Sequence, residues 1–470
     1  MAPIPVQIVS GFLGAGKTTA IRAQLDARSG ERVAVIVNDF GEASFDEITL
    51  AEGEPFRITN IPGGCVCCTA PEGFVDALGA VLAEKPDRLL IEPTGLARPQ
   101  DLIDTIRRCP HGASVELAPV VVLIDPHQLA AQDARGDETT RALMREQAQV
   151  ADVLVANRTD LATESELAAF ERYAAELWPG PLAVHRTRHG ALPPALLDWP
   201  AGEGPRAPAE HAQRAEGERR SARMAERHVA HHGHDHRPST AGHLARSWRW
   251  SPDTIFSGRR LRDALAALAG GDSPVARFKG IFRTEEGTSR LEIAGGVLHD
   301  RLTSFRRDSR ADAIARGEED ALDRIGAALE AAVLDADERR VDPSRIEWVL
   351  PDGRVRAVDR ASLRALPGGI PDVSAQFPKR SGAAARVDAL FDALSLPGTG
   401  SAVVVAGDGF ASEPVAIAVL RRGVLLHSLG DDPLPTAHGG PFRLLIPEDA
   451  SPEPVSCANV KGVAKVVIRA

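Results

Sequence analysis

The sequence predicts a doubly wound α/β domain with a mostly parallel sheet, followed by a small α+β domain and a mixed, β-rich tail. Three observations predict it. Over residues 1 to about 200, short near-continuous apolar runs alternate with helical stretches, as a parallel sheet covered on both faces requires. A glycine-rich loop, Gly11–Thr18, joins the first apolar run to the first helix. Between Pro200 and Pro238 the apolar pattern collapses, then returns as short β-branched runs and amphipathic stretches. At 470 residues the chain exceeds one ordinary core, and its expected parts are 1–200, a linker 201–240, 241–335 and 340–470.

In the first part, Pro5–Ser10, Arg32–Asn38, Arg88–Glu92, Ala118–Asp125, Asp152–Ala156 and Leu182–His185 read as buried strands. Thr18–Arg28, Gly73–Ala83 and Glu164–Leu177 read as helices between them. In the second, Ala241–Trp250, Phe278–Phe282 and Thr288–Ile293 read as strands, with helices at Gly258–Leu268 and Glu318–Leu334. The tail is rich in glycine and proline, with β-runs at Ser401–Val405 and Pro441–Ile446.

A net charge of -10 argues against general nucleic-acid binding, which needs a basic face. The N-terminus carries neither a basic region nor a long apolar stretch, and no window offers about 18 consecutive apolar residues. These features predict a cytoplasmic protein with no membrane partner. Five cysteines are an odd set, and three of them crowd into Cys65, Cys67 and Cys68. That crowding points to metal or redox chemistry rather than a disulfide framework.

Gly11-Phe-Leu-Gly-Ala-Gly-Lys17-Thr18 matches the phosphate-binding loop G-x-x-x-x-G-K-[ST] and stands where that loop works, after a strand and before a helix. Glycines at Gly11, Gly14 and Gly16 let successive N–H groups, with those of Ala15, Lys17, Thr18 and Thr19, curl around phosphate at a helix N-terminus. Lys17 is expected on the β/γ-phosphates and the Thr18 hydroxyl on Mg²⁺. Glu92 ends an apolar strand and is a candidate to organise Mg²⁺; Gly95, three residues on, is a candidate N–H donor to a γ-phosphate. Asn157-Arg-Thr-Asp160 follows the strand Asp152–Ala156 and is the expected base reader. A carboxylate at Asp160 accepts from N1–H and the exocyclic amine of guanine; adenine lacks the N1 donor, so GTP is expected over ATP.

Ile61-Pro-Gly-Gly-Cys65-Val-Cys67-Cys68 places three thiols within four residues, enough to converge on one soft metal. Three thiolates leave a fourth position for a carboxylate or water. A redox pair or inert buried cysteines remain the alternatives on these residues alone.

Taken in order, Gly11–Thr19, Asn38-Asp-Phe-Gly-Glu42, Gly63–Cys68, Glu92–Ala97 and Asn157–Leu161 resemble the CobW-type P-loop GTPases, metal-handling relatives of the urease and hydrogenase nickel-insertion GTPases. Ala276–Gly280 and Phe305–Arg310 resemble that family's C-terminal domain, so the likeness covers about 1–335. The resemblance implies a P-loop NTPase fold and a GTPase. It implies that Cys65, Cys67 and Cys68 bind Zn²⁺ or a similar ion such as Co²⁺ or Ni²⁺, with Glu42 as a carboxylate ligand, and that a client metalloprotein receives the ion. A plain surface acid is the bland reading of Glu42. The oligomeric state is open, a homodimer included.

His228, His231, His232, His234 and His236 fall within nine residues of the linker, a density that binds divalent transition metals weakly; a merely polar linker is the alternative. Cys109 and Cys457 read as structural. In the tail, Ala406–Phe410, Leu425–Gly430, Pro433–Pro435, Gly439–Pro447 and Asn459–Gly462 resemble the molybdopterin-binding fold of sulfite-oxidase-type proteins. That resemblance implies a metal-ligating cysteine upstream, and Leu366–Gly382 contains none, so a shortened, non-catalytic domain is expected. The favoured function is a GTP-hydrolysing metallochaperone. A zinc store or sensor with nucleotide-modulated affinity, and an assembly factor for a cobalamin or molybdenum enzyme, are the alternatives.

Overall fold

The computed structural model describes residues 3–37, 56–60, 71–135, 138–199, 234–239, 243–270, 273–316, 319–339, 342–378, 380–451 and 459–469. The chain forms two compact units: Met1–His232 with Thr303–Asp308, and Gly233–Leu302 with Ser309–Ala470.

In the first unit the order is β1 (Ile4–Gly11), α1 (Lys17–Ala27), β2 (Val33–Val37), β3 (Phe56–Asn60), α2 (Pro71–Ala83), β4 (Arg88–Glu92) and α3 (Pro99–Arg108). There follow β5 (Val115–Leu117), β6 (Val121–Ile124), α4 (Pro126–Arg135), α5 (Glu138–Gln149), β7 (Val153–Ala156), α6 (Glu164–Glu176) and β8 (Ala183–Arg186). The strands lie in the order β3-β2-β4-β1-β6-β7-β8, with β5 also on β1, and every pairing is parallel. β2, β4, β6 and β7 are buried throughout, which is why they read as apolar runs without alternation.

Their alternation is hidden rather than absent. Ile8, Ile36, Ile91, Val122 and Leu154 face one core with residues of α2, α3, α5 and α6; Val9, Val35, Leu90, Leu123 and Val155 face a second core with Ala20 and Ile21 of α1 and with Trp199. Each such side chain contributes about 1.5–3 kcal/mol on burial, so both layers of helix are held by the same strands.

The strand expected over Ala118–Asp125 forms only over Val121–Ile124, as β6, and a separate short strand, β5, precedes the run at Val115–Leu117. β5 pairs with the start of β1 and β6 with its end, and Pro119 between them has no N–H to place in a ladder. α6 begins at a capping box: the Thr163 hydroxyl accepts from the Glu166 N–H, and the Glu166 carboxylate accepts from the Thr163 N–H.

The second unit opens with β9 (His234–Ser239), β10 (His243–Trp250), α7 (Gly258–Ala267), β11 (Val275–Thr284), β12 (Gly287–Ala294), β13 (Val297–Leu302), β14 (Ser309–Arg316) and α8 (Glu319–Ala331). These strands form one antiparallel sheet, β13-β12-β11-β14-β10-β9. Residues 234–239, expected in the linker, instead pair with β10 and extend the sheet edge. Trp248, Trp250, Phe256, Phe278 and Phe282 fill the core against Leu261, Leu265, Leu322 and Ile325 of the two helices.

The tail continues the same unit. β15 (Arg345–Val349), β16 (Val355–Asp359), β18 (Ser401–Ala406), β19 (Val415–Ala416) and β23 (Val463–Arg469) form a mixed sheet in the order β16-β15-β23-β18-β19. β17 (Ala383–Arg386), β20 (Val424–Leu429), β21 (Asp432–Pro433) and β22 (Arg443–Leu445) form a smaller antiparallel one. The tail is tied in through Glu286, 2% exposed, whose carboxylate takes Arg262 of α7 at 2.7 Å and Arg469 of β23 at 2.6 Å. No helix among the described residues is long and apolar enough to cross a membrane.

Candidate nucleotide-binding site

The site lies at the carboxyl edge of the parallel sheet. β1 ends at Gly11, where a Cβ would sit 2.3 Å from the Leu123 carbonyl oxygen of β6; no side chain fits between these strands. Gly14 and Gly16 hold φ of 77° and 90°, the left-handed region that glycine enters without strain. Gly16 also starts α1 with no side-chain cap and no acid in the first turn, so the leading N–H groups of the helix are offered to an external anion. Such a cradle, closed to side chains and lined by donors, fits a nucleotide's phosphates.

Lys17 is buried at the start of α1, its Nζ donating to the Phe12 carbonyl across the loop at 3.3 Å. The Thr18 hydroxyl donates to Glu92 Oε1 at 2.8 Å, because β1 and β4 are neighbours and their ends meet. A hydroxyl and a buried carboxylate at this spacing are the oxygen donors a hard divalent cation takes beside phosphate. Gly95 packs on the loop itself: a Cβ there would stand 2.6 Å from the Leu13 nitrogen. Thr19 is exposed on the first turn of α1.

Asn157, 1% exposed, spans the site. Its Nδ2 donates to the Ala15 carbonyl at 2.9 Å, and its Oδ1 accepts from the Gly190 N–H at 3.1 Å. Arg158, in the left-handed region at φ 59°, reaches Asp125 Oδ2 at 3.1 Å and lies beside the Gly14 carbonyl at 3.5 Å. Asp160 is exposed in the turn that follows, at the same sheet edge. Gly11–Thr19, Glu92, Gly95, Asn157 and Asp160 are therefore gathered along one edge.

Four contributors are missing from the sequence-based expectations. Asp125, at the end of β6, holds Arg158. Gln128 donates to the Leu13 carbonyl at 3.0 Å. Gly190, at φ 66°, lies so close to α1 that a Cβ would stand 2.5 Å from the Ala20 nitrogen. Gln147 donates to the carbonyls of Gly95 and Ala97. Only the Gly190 turn carries a local signal, a glycine soon after a strand; the others depend on partners 33 to 115 residues away.

The expected metal ligands are placed differently. Glu42, Cys65, Cys67, Cys68, His231 and His232 lie outside the described residues. His234 and His236 lie in β9 of the other unit, in register with Ser247 and Ala245. Among the described residues no group of three or more His, Cys, Asp or Glu is arranged to hold a metal ion.

A glycine cradle, its lysine and a paired threonine and acid, all at the carboxyl edge of a parallel sheet, define the class of protein: a P-loop nucleoside triphosphatase. Residues 5–182 match the family described as CobW/HypB/UreG, nucleotide-binding domain. The chain is 32% identical over 318 residues to the zinc chaperone YeiR of Escherichia coli (strain K12), covering 67% of this chain and 93% of that one. It is 32% identical over 228 residues to the zinc chaperone CobW of Pseudomonas aeruginosa, covering 42% and 60% of the two chains. It is also 35% identical over 173 residues to the zinc-regulated GTPase metalloprotein activator 1 of Schizosaccharomyces pombe, covering 35% and 41%. The chain belongs to the CobW-type P-loop GTPases, and it is a GTPase.

Proposed function

We propose that this GTPase is a metallochaperone that carries zinc on Cys65, Cys67 and Cys68, with Glu42 as a further ligand, and gives it to a client protein when the nucleotide changes. The observation that carries the reading is a line of register across the sheet. Asn60 at the end of β3 is level with Val37 at the end of β2, and Val37 with Glu92 at the end of β4. With strands about 4.8 Å apart, the two segments that bear the candidate ligands leave the sheet within about 10 Å of Glu92. Cys65 follows Asn60 by five residues, a span of at most about 17 Å, and Glu42 follows Val37 by as many. The relatives named as zinc chaperones favour zinc among the ions this donor set accepts.

On the nucleotide, Lys17 and the N–H groups of Gly14–Lys17 meet the charge that develops as the γ-phosphate leaves. Thr18 and Glu92 are the residues that hold Mg²⁺, which when bound neutralises the phosphate oxygens. Asn157 braces the loop, and Asp160 reads the guanine edge. Because the metal-bearing segments start beside the γ-phosphate sensors, GTP and metal occupancy are coupled. A coupling of about 1–3 kcal/mol alters zinc affinity by roughly 5–150-fold, enough to turn holding into release.

The test is zinc affinity by chelator competition with a non-hydrolysable GTP analogue, with GDP and without nucleotide, in wild type and in Cys65/Cys67/Cys68→Ser. We expect a several-fold dependence on nucleotide in wild type and none in the variant. Equal affinities in all three wild-type states overturn the reading.

A second reading, assembly of a molybdenum enzyme, rests on the tail. Arg443 is buried; its Nη1 donates to the His438 carbonyl at 3.1 Å, and its Nε has no hydrogen-bond partner among the described residues. Burial, with Arg380 nearby, pushes it down to about 10, and burial also lowers Lys461. Such residues fit an anionic group. Leu366–Gly382 supplies no thiolate for a metal, so the tail reads as a recognition domain and no chemistry is assigned to it.

A further inference from the structure

The turn that follows β4 is held by a residue outside every nucleotide motif. Gln147 of α5 is 1% exposed, and its Nε2 donates to the Gly95 carbonyl at 3.0 Å and to the Ala97 carbonyl at 2.9 Å. An amide nitrogen carries two N–H groups, and both are committed to this one turn. The turn also closes on itself: the Ala97 N–H donates to the Thr94 carbonyl at 3.0 Å, and the Leu96 N–H to the Thr94 hydroxyl at 3.2 Å. Beside Gln147, Glu146 faces Arg98 at 3.3 Å, so α5 grips the turn at Gly95, Ala97 and Arg98.

The helix that does the gripping is itself anchored. Tyr173 of α6 donates to the Met144 carbonyl at 3.2 Å, and the Thr303 hydroxyl donates to Gln149 Oε1 at 3.2 Å. Thr303 belongs to the short stretch Thr303–Asp308 that returns to this unit, where Arg306 pairs with Asp104 and Arg307 with Asp152. A glutamine buried to fill space would be replaced at no loss by an apolar side chain of its size. One whose two donors are both spent on the backbone of the phosphate-sensing turn fixes a conformation.

We propose that Gln147 is a positioning residue for the GTP reaction. By pinning the peptides that follow Gly95 and Ala97, it presents the Gly95 N–H to the γ-phosphate in advance, so the turn need not reorganise when GTP binds. The inference rests on the reading of Gly95 as a γ-phosphate donor. GDP has no γ-phosphate, so Gln147 favours GTP and leaves GDP affinity alone. A purely structural glutamine supports both nucleotides equally.

The experiment compares wild type with Gln147→Met, which keeps the volume and removes both donors. Affinities for a non-hydrolysable GTP analogue and for GDP are measured together with single-turnover GTP hydrolysis. Two neutral hydrogen bonds predict a loss of about tenfold in the GTP-to-GDP affinity ratio and a similar fall in hydrolysis, with GDP affinity within about twofold of wild type. Equal losses for both nucleotides, or no loss for either, overturn the proposal.

Amide exchange on the wild-type protein gives a measurement that does not depend on the variant folding. Residues 94–98 and 144–149 are expected to be protected more by the GTP analogue than by GDP. Equal protection at Gly95 overturns the Gly95 reading and the Gln147 inference with it. A difference at Gly95 that persists unchanged in Gln147→Met overturns the Gln147 inference alone.

Discussion

The two units of this chain solve the same problem, fixing polar groups precisely, in opposite ways. In the nucleotide unit the polar groups sit on loops at one edge of a parallel sheet whose strands are buried on both faces. Apolar side chains packed on both faces hold the sheet, and Gly11–Thr18 starts its helix with no side-chain cap, which suits the loop to an external anion. In the second unit the sheets are largely antiparallel, and a buried carboxylate is held by two arginines of the same unit. Glu286 joins α7 to the last strand through Arg262 and Arg469. The difference teaches that a sheet buried on both faces leaves its edge loops to a ligand, whereas the Glu286 cluster uses its charges to join elements of the fold.

That contrast can be broken, most severely at Lys17. Lys17→Ala is expected to lower GTP hydrolysis about 100-fold or more while the far-UV circular dichroism stays that of the wild type, because a charge aimed at the transition state is lost and the core is untouched. A variant that keeps its rate would show that phosphate charge is met elsewhere.

The second unit should respond in stability instead. Glu286→Gln leaves two arginines facing an uncharged amide, and we expect a loss of about 2–3 kcal/mol, below the 3–5 kcal/mol of a fully enclosed pair because both arginines keep some access to water. Nucleotide affinity should not change, and denaturant melts read beside GDP titrations check both halves of the statement. Burial pushes the Glu286 carboxyl up, but Arg262 and then Arg469 outweigh it and hold it below the usual carboxylate range. The stabilisation is therefore fully present above the unfolded value of about 4.3 and is lost as pH falls through the lowered folded value. Acid melts of Glu286→Gln should lack this component.

Asp160→Asn sharpens the comparison inside the first unit. It should cost about 10–100-fold in GTP affinity and leave ATP affinity unchanged, since a charge-assisted pair with guanine is lost. Competition of both nucleotides against a fluorescent guanine nucleotide measures it. A parallel loss for ATP would assign Asp160 to the loop's structure instead.

Arg158→Lys should weaken GTP by no more than about fivefold, because the Arg158 side chain is 43% exposed and its pair with Asp125 is screened by water. The smallest effect is expected at Arg32 and Asp87, a pair in which each partner shifts the other and both stand in solvent. Arg32→Ala should leave the melting temperature of the protein unchanged, and a clear drop would mean that surface pairing matters more here than burial.

Much of the nucleotide unit is legible in its residues alone. The alternation of apolar runs and helices reveals the parallel sheet, because residues buried on both faces leave no polar position to confuse the pattern. The loop Gly11–Thr18 and the turn Asn157–Asp160 are legible for another reason: a strand, a tight turn and a helix start are neighbours in the chain, so their chemistry is written contiguously. Length and partnership are harder. The apolar run Ala118–Asp125 reads as one strand, but only Val121–Ile124 pairs, and the chain before it, Val115–Leu117, already pairs with the start of β1; Pro119 falls between the two pairings.

The sequence by itself determined the class of fold, the phosphate loop and the residue types that meet a nucleotide, because these depend on local backbone geometry and on burial periodicity. Only the tertiary structure decided which residues serve them. Asp125 beneath Arg158, Gly190 against α1 and Gln147 on the carbonyls of Gly95 and Ala97 join segments far apart in the chain. A hydrogen bond of about 3 Å between distant residues leaves no periodic trace in either of them, and so the phosphate loop is visible in the sequence while the helix that steadies its neighbouring turn is not.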